Sequence, residues 1–198
     1  MNKIGEIIIG TNNDGKYKEI CALLPEKIVK HSVKKLKILS PEETGNTYSD
    51  NSLIKAKYYS QKSNLICLAD DSGLEIDLLN GEPGIYSSRW AEKGKNFDTA
   101  ILKVFEELKK AKANWSKKIS AKFICNLSIW WPEGQFCSYT GEIKGTISSK
   151  KKGTKGFGYD PIFIPDGYKE TFGEMEPKLK MSIDHRFIAF SQIKNFFI

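Results

Sequence analysis

The sequence predicts an α/β fold: a mixed, twisted sheet with flanking helices. Three observations carry this expectation. Short apolar runs of strand length, Glu6-Ile7-Ile8-Ile9-Gly10 and Leu65-Ile66-Cys67-Leu68-Ala69, alternate with helical stretches in the first half of the chain. Asp98 to Lys112 is the clearest amphipathic helix, with Ile101, Leu102, Val104, Phe105 and Leu108 on one side and lysines on the other. Lys122 to Trp131 and Gln135 to Ile147 read as two long strands around the turn Pro132-Glu133-Gly134, an antiparallel excursion from an otherwise alternating pattern.

Taken in order, Glu6 to Gly10 is a first, buried strand, and Thr11-Asn12-Asn13-Asp14-Gly15 is a polar turn. Lys16 to Leu24 is helical and ends at Pro25. Ser32 to Leu39 is expected as a second strand. Thr47 to Lys62 has helical apolar spacing, the run 65–69 follows as a strand, and a last helix is expected from His185 to Phe197. No internal repeat or low-complexity linker divides the chain, so 1–198 reads as one domain.

The 198 residues suffice for a substantial core, and 40% hydrophobic with 28% charged residues is ordinary for a soluble globular protein. A net charge of +7 favours an anionic partner without saying which. Much of the excess is dispersed lysine, as in Lys34-Lys35 and Lys150-Lys151-Lys152, which reads as a solvated face. The four cysteines, Cys21, Cys67, Cys125 and Cys137, show no C-x-x-C spacing and read as reduced thiols. With two histidines there is no zinc constellation. No signal-peptide h-region and no membrane-length apolar run is present, so a soluble, cytoplasmic protein is expected.

The most informative segment is Ala69-Asp70-Asp71-Ser72-Gly73-Leu74-Glu75. Two adjacent carboxylates follow the apolar run and are expected at the carboxyl end of its strand, where open α/β sheets bind ligands. Burying such a pair is costly unless a cation compensates it, and oxygen-only ligands suit a hard ion such as Mg²⁺. A solvated Asp-Asp-Ser-Gly turn accounts for the same residues. The turn from Gly10 to Glu19 offers free backbone N–H groups and Lys16 at a helix start, a geometry that favours phosphate, although it lacks Walker A spacing. Glu42-Glu43-Thr44-Gly45-Asn46-Thr47 precedes the second helix, on which Asn51 and Lys55 fall one turn apart. These acids are either favourable end charges or, with Asp70 and Asp71, part of a hard-metal site. Lys152 to Pro161 is glycine-rich, and an aromatic there can stack on a base or pack on the core. Lys180 and His185-Arg186 place three potential cations on one short stretch.

Read together, these segments resemble the inosine/xanthosine triphosphate pyrophosphatase family, also called Ham1-like. The family's strand-T-G-N-x-x-K corresponds to Thr11–Lys16, and E-E-T-G-x-T-x-x-E-N-A-x-x-K-A to Glu42–Ala56. A-D-D-S-G-L falls at Ala69–Leu74 and G-x-P-G-x-x-S-A-R at Gly81–Arg89. G-F-G-Y-D-P-x-F falls at Gly156–Phe163, and K-x-x-x-S-H-R at Lys180–Arg186. The likeness covers nearly the whole chain in the right order. Five positions depart from it: Asn12 replaces the glycine of T-G-N, Asp50 a glutamate, Ser52 and Ser88 alanines, and Asp184 the serine before His-Arg.

The resemblance implies an elongated, two-lobed domain with a central cleft, a homodimer, and cleavage of the α–β phosphoanhydride of ITP, dITP or XTP. It makes Asp71 the base that activates water, with Lys16 and Lys55 as its catalytic partners. Glu42, Glu43, Asp70 and Asp71 would hold Mg²⁺. Thr11, Asn12, Asn13, Asp14, Gly15, Lys16 and Ser72 would cradle the triphosphate. Phe157, Gly158, Tyr159, Asp160, Lys180, His185 and Arg186 would take the purine or its ribose. Asp184 would weaken contacts to the purine or pair with Arg186 and reposition it. A pyrophosphatase with another base preference keeps the acids and lysines. A basic nucleic-acid or nucleotide-sensing module is the non-enzymatic alternative, but a phosphate-backbone binder has no need of these acids, and no nucleic-acid partner is expected.

Overall fold

The computed structural model describes residues 4–91, 96–111 and 118–197. Its sheet has six strands in the order β2-β1-β3-β4-β5-β6. These are β1 (Glu6–Gly10), β2 (Val29–Ser32), β3 (Cys67–Ile76), β4 (Ser120–Trp130), β5 (Phe136–Ile147) and β6 (Phe163–Pro165). β1 pairs in parallel with β2 and β3, whereas β5 and β6 are antiparallel, so the sheet is mixed as expected. The helices are α1 (Asp14–Leu23), α2 (Tyr48–Ser63), α3 (Phe97–Ala111), α4 (Pro177–Ile183) and α5 (His185–Ile193). Lys112, the expected end of α3, lies outside the described residues. Among the described residues no helix is long and apolar enough to cross a membrane.

The chain falls into two compact units. The first comprises described residues within 1–71, 125–141 and 186–198, the second those within 72–124 and 142–185. In the first unit, β1 is apolar at successive positions because it is buried on both faces. Ile7 and Ile9 join Ile20, Leu68, Leu127 and Phe190 on one side, while Ile8 joins Val33, Ala56, Tyr59 and Cys67 on the other. Each such side chain contributes roughly 1.5–3 kcal/mol by leaving water. Gly10 ends β1 where a Cβ would stand 2.8 Å from Ala69 Cβ and 3.0 Å from the Tyr59 ring, so only glycine admits this close packing.

Two strand expectations change. The segment expected as a strand from Ser32 to Leu39 leaves the sheet at Ser32. Its backbone then coils, with Leu36 N–H donating to Ser32 C=O, Ile38 N–H to Val33 C=O, and Lys37 at φ 56°. The run carries the apolar residues Val33, Leu36 and Leu39, yet only Val33 of these is buried. Conversely, β3 does not stop at Ala69 but runs on to Ile76, so Asp70 and Asp71 are strand residues and not a turn. What stops is the pairing with β1, whose last register pair is Gly10 with Ala69.

α2 begins with a capping box: the Thr47 hydroxyl accepts from Asp50 N–H and the Asp50 carboxylate accepts from Thr47 N–H. Aspartate at 50 therefore does the end-capping that a glutamate does elsewhere. In the second unit α3 packs Ile101, Val104 and Leu108 against Leu74, Phe123, Phe163 and Phe172. Leu102, expected on the same side, is 61% exposed because it lies one residue off the i, i+3, i+7 stripe. The last helix ends at Ile193, and a 3₁₀ turn (Lys194–Phe196) completes the stretch expected as helix to Phe197.

Candidate active site

The first unit gathers most of the expected residues. Thr11 to Lys16 carry the chain from β1 into α1, where the Asn13 side chain accepts from Lys16 N–H at 3.1 Å and caps the helix. Gly15 lies in the first turn. Asp14 turns to solvent, where it pairs with Lys34 at 2.5 Å. Lys16 reaches back from the first turn to Asp70, Nζ to Oδ2 3.0 Å. The ten-residue helix α1 thus presents a cationic start.

Asp70 and Asp71, the first β3 residues beyond the β1 pairing, are both buried. Their compensation differs. Asp70 Oδ2 accepts from Lys16 and from Arg186 Nη1 (2.8 Å), and Arg186 Nε donates to Glu19 Oε2 at 2.9 Å. Burial alone would push the Asp70 carboxyl up, but Lys16, Arg186 and Lys55 outweigh it and hold it well below the usual carboxylate range. Asp71 shares Lys55 with Glu43, at 3.2 and 2.9 Å. Its pKa is raised, chiefly by burial and further by Glu43 and Asp70, against the opposing pull of Lys55 and Lys16. Burial lowers the Lys55 ammonium, yet Asp71, Asp70 and Glu43 more than reverse this and raise it. These ion pairs form two sets, Glu19 and Asp70 with Lys16 and Arg186, and Glu43 and Asp71 with Lys55.

α2 organises this cluster. Asn51, Lys55 and Tyr59 succeed one another at i, i+4 and i+8 on one face and each holds part of the 40–45 segment. The Asn51 side-chain oxygen accepts from Gly45 N–H (2.8 Å), Lys55 binds Glu43, and Tyr59 OH donates to Ser40 Oγ (3.4 Å). A Cβ at Gly45 would fall 2.4 Å from Asp50 Cβ, which explains the glycine. Asn51 Nδ2 also reaches Asp71 Oδ2 at 3.4 Å. Glu42, by contrast, is exposed. Among the described residues no three His, Cys, Asp or Glu side chains form a metal-binding group. The hard-oxygen donors that converge are Glu43 and Asp71.

The second unit holds the residues expected to read the base. Phe157 is half-buried beneath Lys180, whose Nζ lies 4.9 Å from the ring centroid and 2.7 Å from Asp160 Oδ2. The Asp160 carboxylate also accepts from Phe157 N–H at 2.8 Å. Gly156, at φ 73°, makes room for it, since a Cβ would stand 2.0 Å from Asp160 Oδ2. Gly158 shares the left-handed conformation at φ 65°. Tyr159 lies in the core, its OH donating to Ser87 C=O (2.9 Å) and its ring edge-on to Phe97. Ser72 is partly buried just after the acids. His185 is buried and stacked on Phe123, ring centroids 4.8 Å apart.

Three of the expected site residues are held by protein partners. Tyr159 packs in the core with its hydroxyl on Ser87 C=O. Arg186 does not project as a free recognition group: it is 1% exposed and its nitrogens meet Glu19, Asp70 and the Cys125 sulfur. Asp70 finds its compensation in Lys16 and Arg186. Glu19 went unrecognised in the sequence, although its position three residues after Lys16 puts both on one helical face.

The chain is 42% identical over 189 residues to the dITP/XTP pyrophosphatase of Caulobacter vibrioides, covering 96% of each. It is 40% identical over 190 residues to that of Zymomonas mobilis, covering 96% of this chain and 90% of the relative. Among solved structures, the Ham1 protein of Staphylococcus aureus superposes with a TM-score of 0.82 at 33% identity over 96% of this chain and 97% of that one. A HAM1 protein from Coxiella burnetii gives 0.84 at 34% identity over 96% of both. The sequence model of the Ham1 family matches residues 7–196, and the chain belongs to that family.

Proposed function

We propose that this protein hydrolyses non-canonical purine nucleoside triphosphates (ITP, dITP and XTP) to the monophosphate and pyrophosphate, removing them from the nucleotide pool. The observation that carries the reading is the Glu43–Lys55–Asp71 cluster, with Lys55 and Asp71 buried, beside a capped helix start bearing Lys16. The relatives named dITP/XTP pyrophosphatase support it over nearly the full chain.

Lys16 and the N–H groups opening α1 neutralise the triphosphate, and Lys55 adds a second positive charge. Asp71 accepts the proton of a water that adds to the α-phosphorus. The α–β bridging bond breaks and its oxygen leaves with pyrophosphate. A carboxyl with a raised pKa is a better proton acceptor than an ordinary one, so burial of Asp71 serves this role. Glu43 and Asp71 are the donors that would hold Mg²⁺, with phosphate and water oxygens completing a shell in the usual manner of this ion. Bound there, Mg²⁺ would neutralise developing charge and acidify the attacking water. Phe157 would stack on the purine, with Lys180 and Asp160 near its polar edge. A donor-lined site favours a 6-oxo over a 6-amino purine, because the amino group leaves buried donors unpaired.

A cytoplasmic homodimer belongs to the same proposal. Four free cysteines suit a reducing compartment, and sedimentation would show the dimer. The primary test is pyrophosphate release from ITP, dITP, XTP, GTP, ATP and dTTP, each with Mg²⁺ and with EDTA. Fast, EDTA-sensitive release from the first three bears the proposal out. Preference for another nucleotide overturns the base assignment, and no turnover overturns the enzyme.

A further inference from the structure

We infer that Asn12 is a positioning residue, whose side-chain amide, with Ser40 and Tyr59, clasps the Thr11–Lys16 loop to the 40–45 segment and fixes the register between Lys16 and the Glu43–Lys55–Asp71 cluster. The inference rests on the triphosphate role proposed above for that loop.

Asn12 Nδ2 donates to Ser40 Oγ at 2.5 Å and to Tyr59 OH at 3.3 Å, and Tyr59 OH donates to Ser40 Oγ at 3.4 Å. The three side chains close a ring of hydrogen bonds across separations of 28, 47 and 19 residues. One corner cannot move: Tyr59 is 1% exposed, seated against Ile8, Ala56 and Cys67, and packed on the end of β1 through the space that Gly10 leaves. Ser40 is the first residue of the segment that α2 grips at Glu43 through Lys55 and at Gly45 through Asn51. That segment is thus held at three successive turns of one helix face. Asn12 extends the same row of contacts to the loop between β1 and α1.

An amide committed in this way is turned toward protein partners, not toward a phosphate. Its effect is indirect: it limits how far Lys16 and the α1 amides can drift from the acids. Polar turn residues commonly bond only to their own backbone. A side chain reaching two separate segments, one of them anchored in the core, does more than shape a turn.

The test is a double-mutant cycle on the full-length protein with Asn12→Gly, Ser40→Ala and the pair, and Tyr59→Phe as a variant that keeps the buried ring. Pyrophosphate is the binding probe, by calorimetry, beside kcat and KM for ITP. Each single change should weaken pyrophosphate binding and raise KM about threefold to tenfold, the effect of one net hydrogen bond, with kcat within about twofold because the acids and Lys55 stay in place. The double variant should be no worse than the poorer single. Singles indistinguishable from wild type, effects that multiply, or a wild type that does not bind pyrophosphate would each overturn the clasp. Coupled losses in pyrophosphate affinity in a protein that turns over no nucleotide would uphold it while refuting the proposed activity. Normal turnover with independent effects would do the reverse.

Discussion

Replacing Arg186 with methionine separates a structural role from a recognition role. The wild-type guanidinium is 1% exposed and donates to Glu19 at 2.9 Å and to Asp70 at 2.8 Å. Methionine fills similar volume but leaves fully buried Asp70 with Lys16 as its remaining cation among these contacts. Removing one partner of a buried ion network typically costs about 3–5 kcal/mol, mostly from the charge left behind. At about 2–4 °C per kcal/mol for a chain of this size, the thermal midpoint should fall by about 6–20 °C. Circular dichroism melts without nucleotide would measure it. Adding Asp70→Asn and Glu19→Gln to Arg186→Met should recover more than half of the loss, since the uncompensated charges go with it. A midpoint within about 3 °C of wild type, with a changed ITP-to-ATP activity ratio, would refute this reasoning and return Arg186 to base recognition.

Three further outcomes follow from the geometry. Asp71→Asn should lower kcat by about 100-fold or more with the circular dichroism spectrum of the folded protein retained. In the wild type, the raised Asp71 moves the acid limb of kcat/KM upward from where an ordinary aspartate would put it, activity being lost as pH falls through it, and excess Mg²⁺ should move that limb down. Asp70 is depressed on folding, so its stabilisation is complete above the ordinary carboxylate range and is lost as pH falls toward its lower folded value. The urea-midpoint gap between wild type and Asp70→Asn should therefore close on acidification, and a gap constant from pH 7 to pH 3 would contradict the ion network. Phe157→Ala should raise KM for ITP more than it lowers kcat, because stacking contributes similarly to ground and transition states; a change confined to kcat would exclude the stacking role.

Several departures from the family pattern have structural explanations. Asp50 keeps the capping box of α2. Ser52, where relatives carry alanine, joins a buried hydroxyl network, with its Oγ 2.6 Å from Asn126 Oδ1 and 2.7 Å from Ser128 Oγ. Asp184 occupies the extended residue between α4 and α5, immediately before His185. There it ends α4, its backbone N–H donating to Lys180 C=O.

The sequence by itself determined the α/β class, four of the six strands at least in part (β1, β3, β4 and β5), and the order in which the acids, lysines and glycine-rich turn occur. Those features are written in local patterns. β1 is apolar from Ile7 to Ile9 because both its faces are covered there, and α2 announces its start with Thr47 and Asp50. The local signal misled where a pattern had two physical readings. Val33, Leu36 and Leu39 give the run 32–39 strand-like apolar content, yet the backbone leaves the sheet at Ser32 and coils, with positive φ at Lys37. Asp-Asp-Ser-Gly has turn chemistry, yet β3 carries it through to Ile76. Only the tertiary structure decided which cation meets which acid. Lys16, Lys55 and Arg186 lie 54, 16 and 116 positions from the carboxylates they neutralise, separations read from Lys16–Asp70, Lys55–Asp71 and Arg186–Asp70. Charge pairing depends on distance and burial, neither of which is a local property of the chain. The same reason hid Glu19 and the Asn12–Ser40–Tyr59 contact: each is an ordinary polar residue until folding brings its partner within reach.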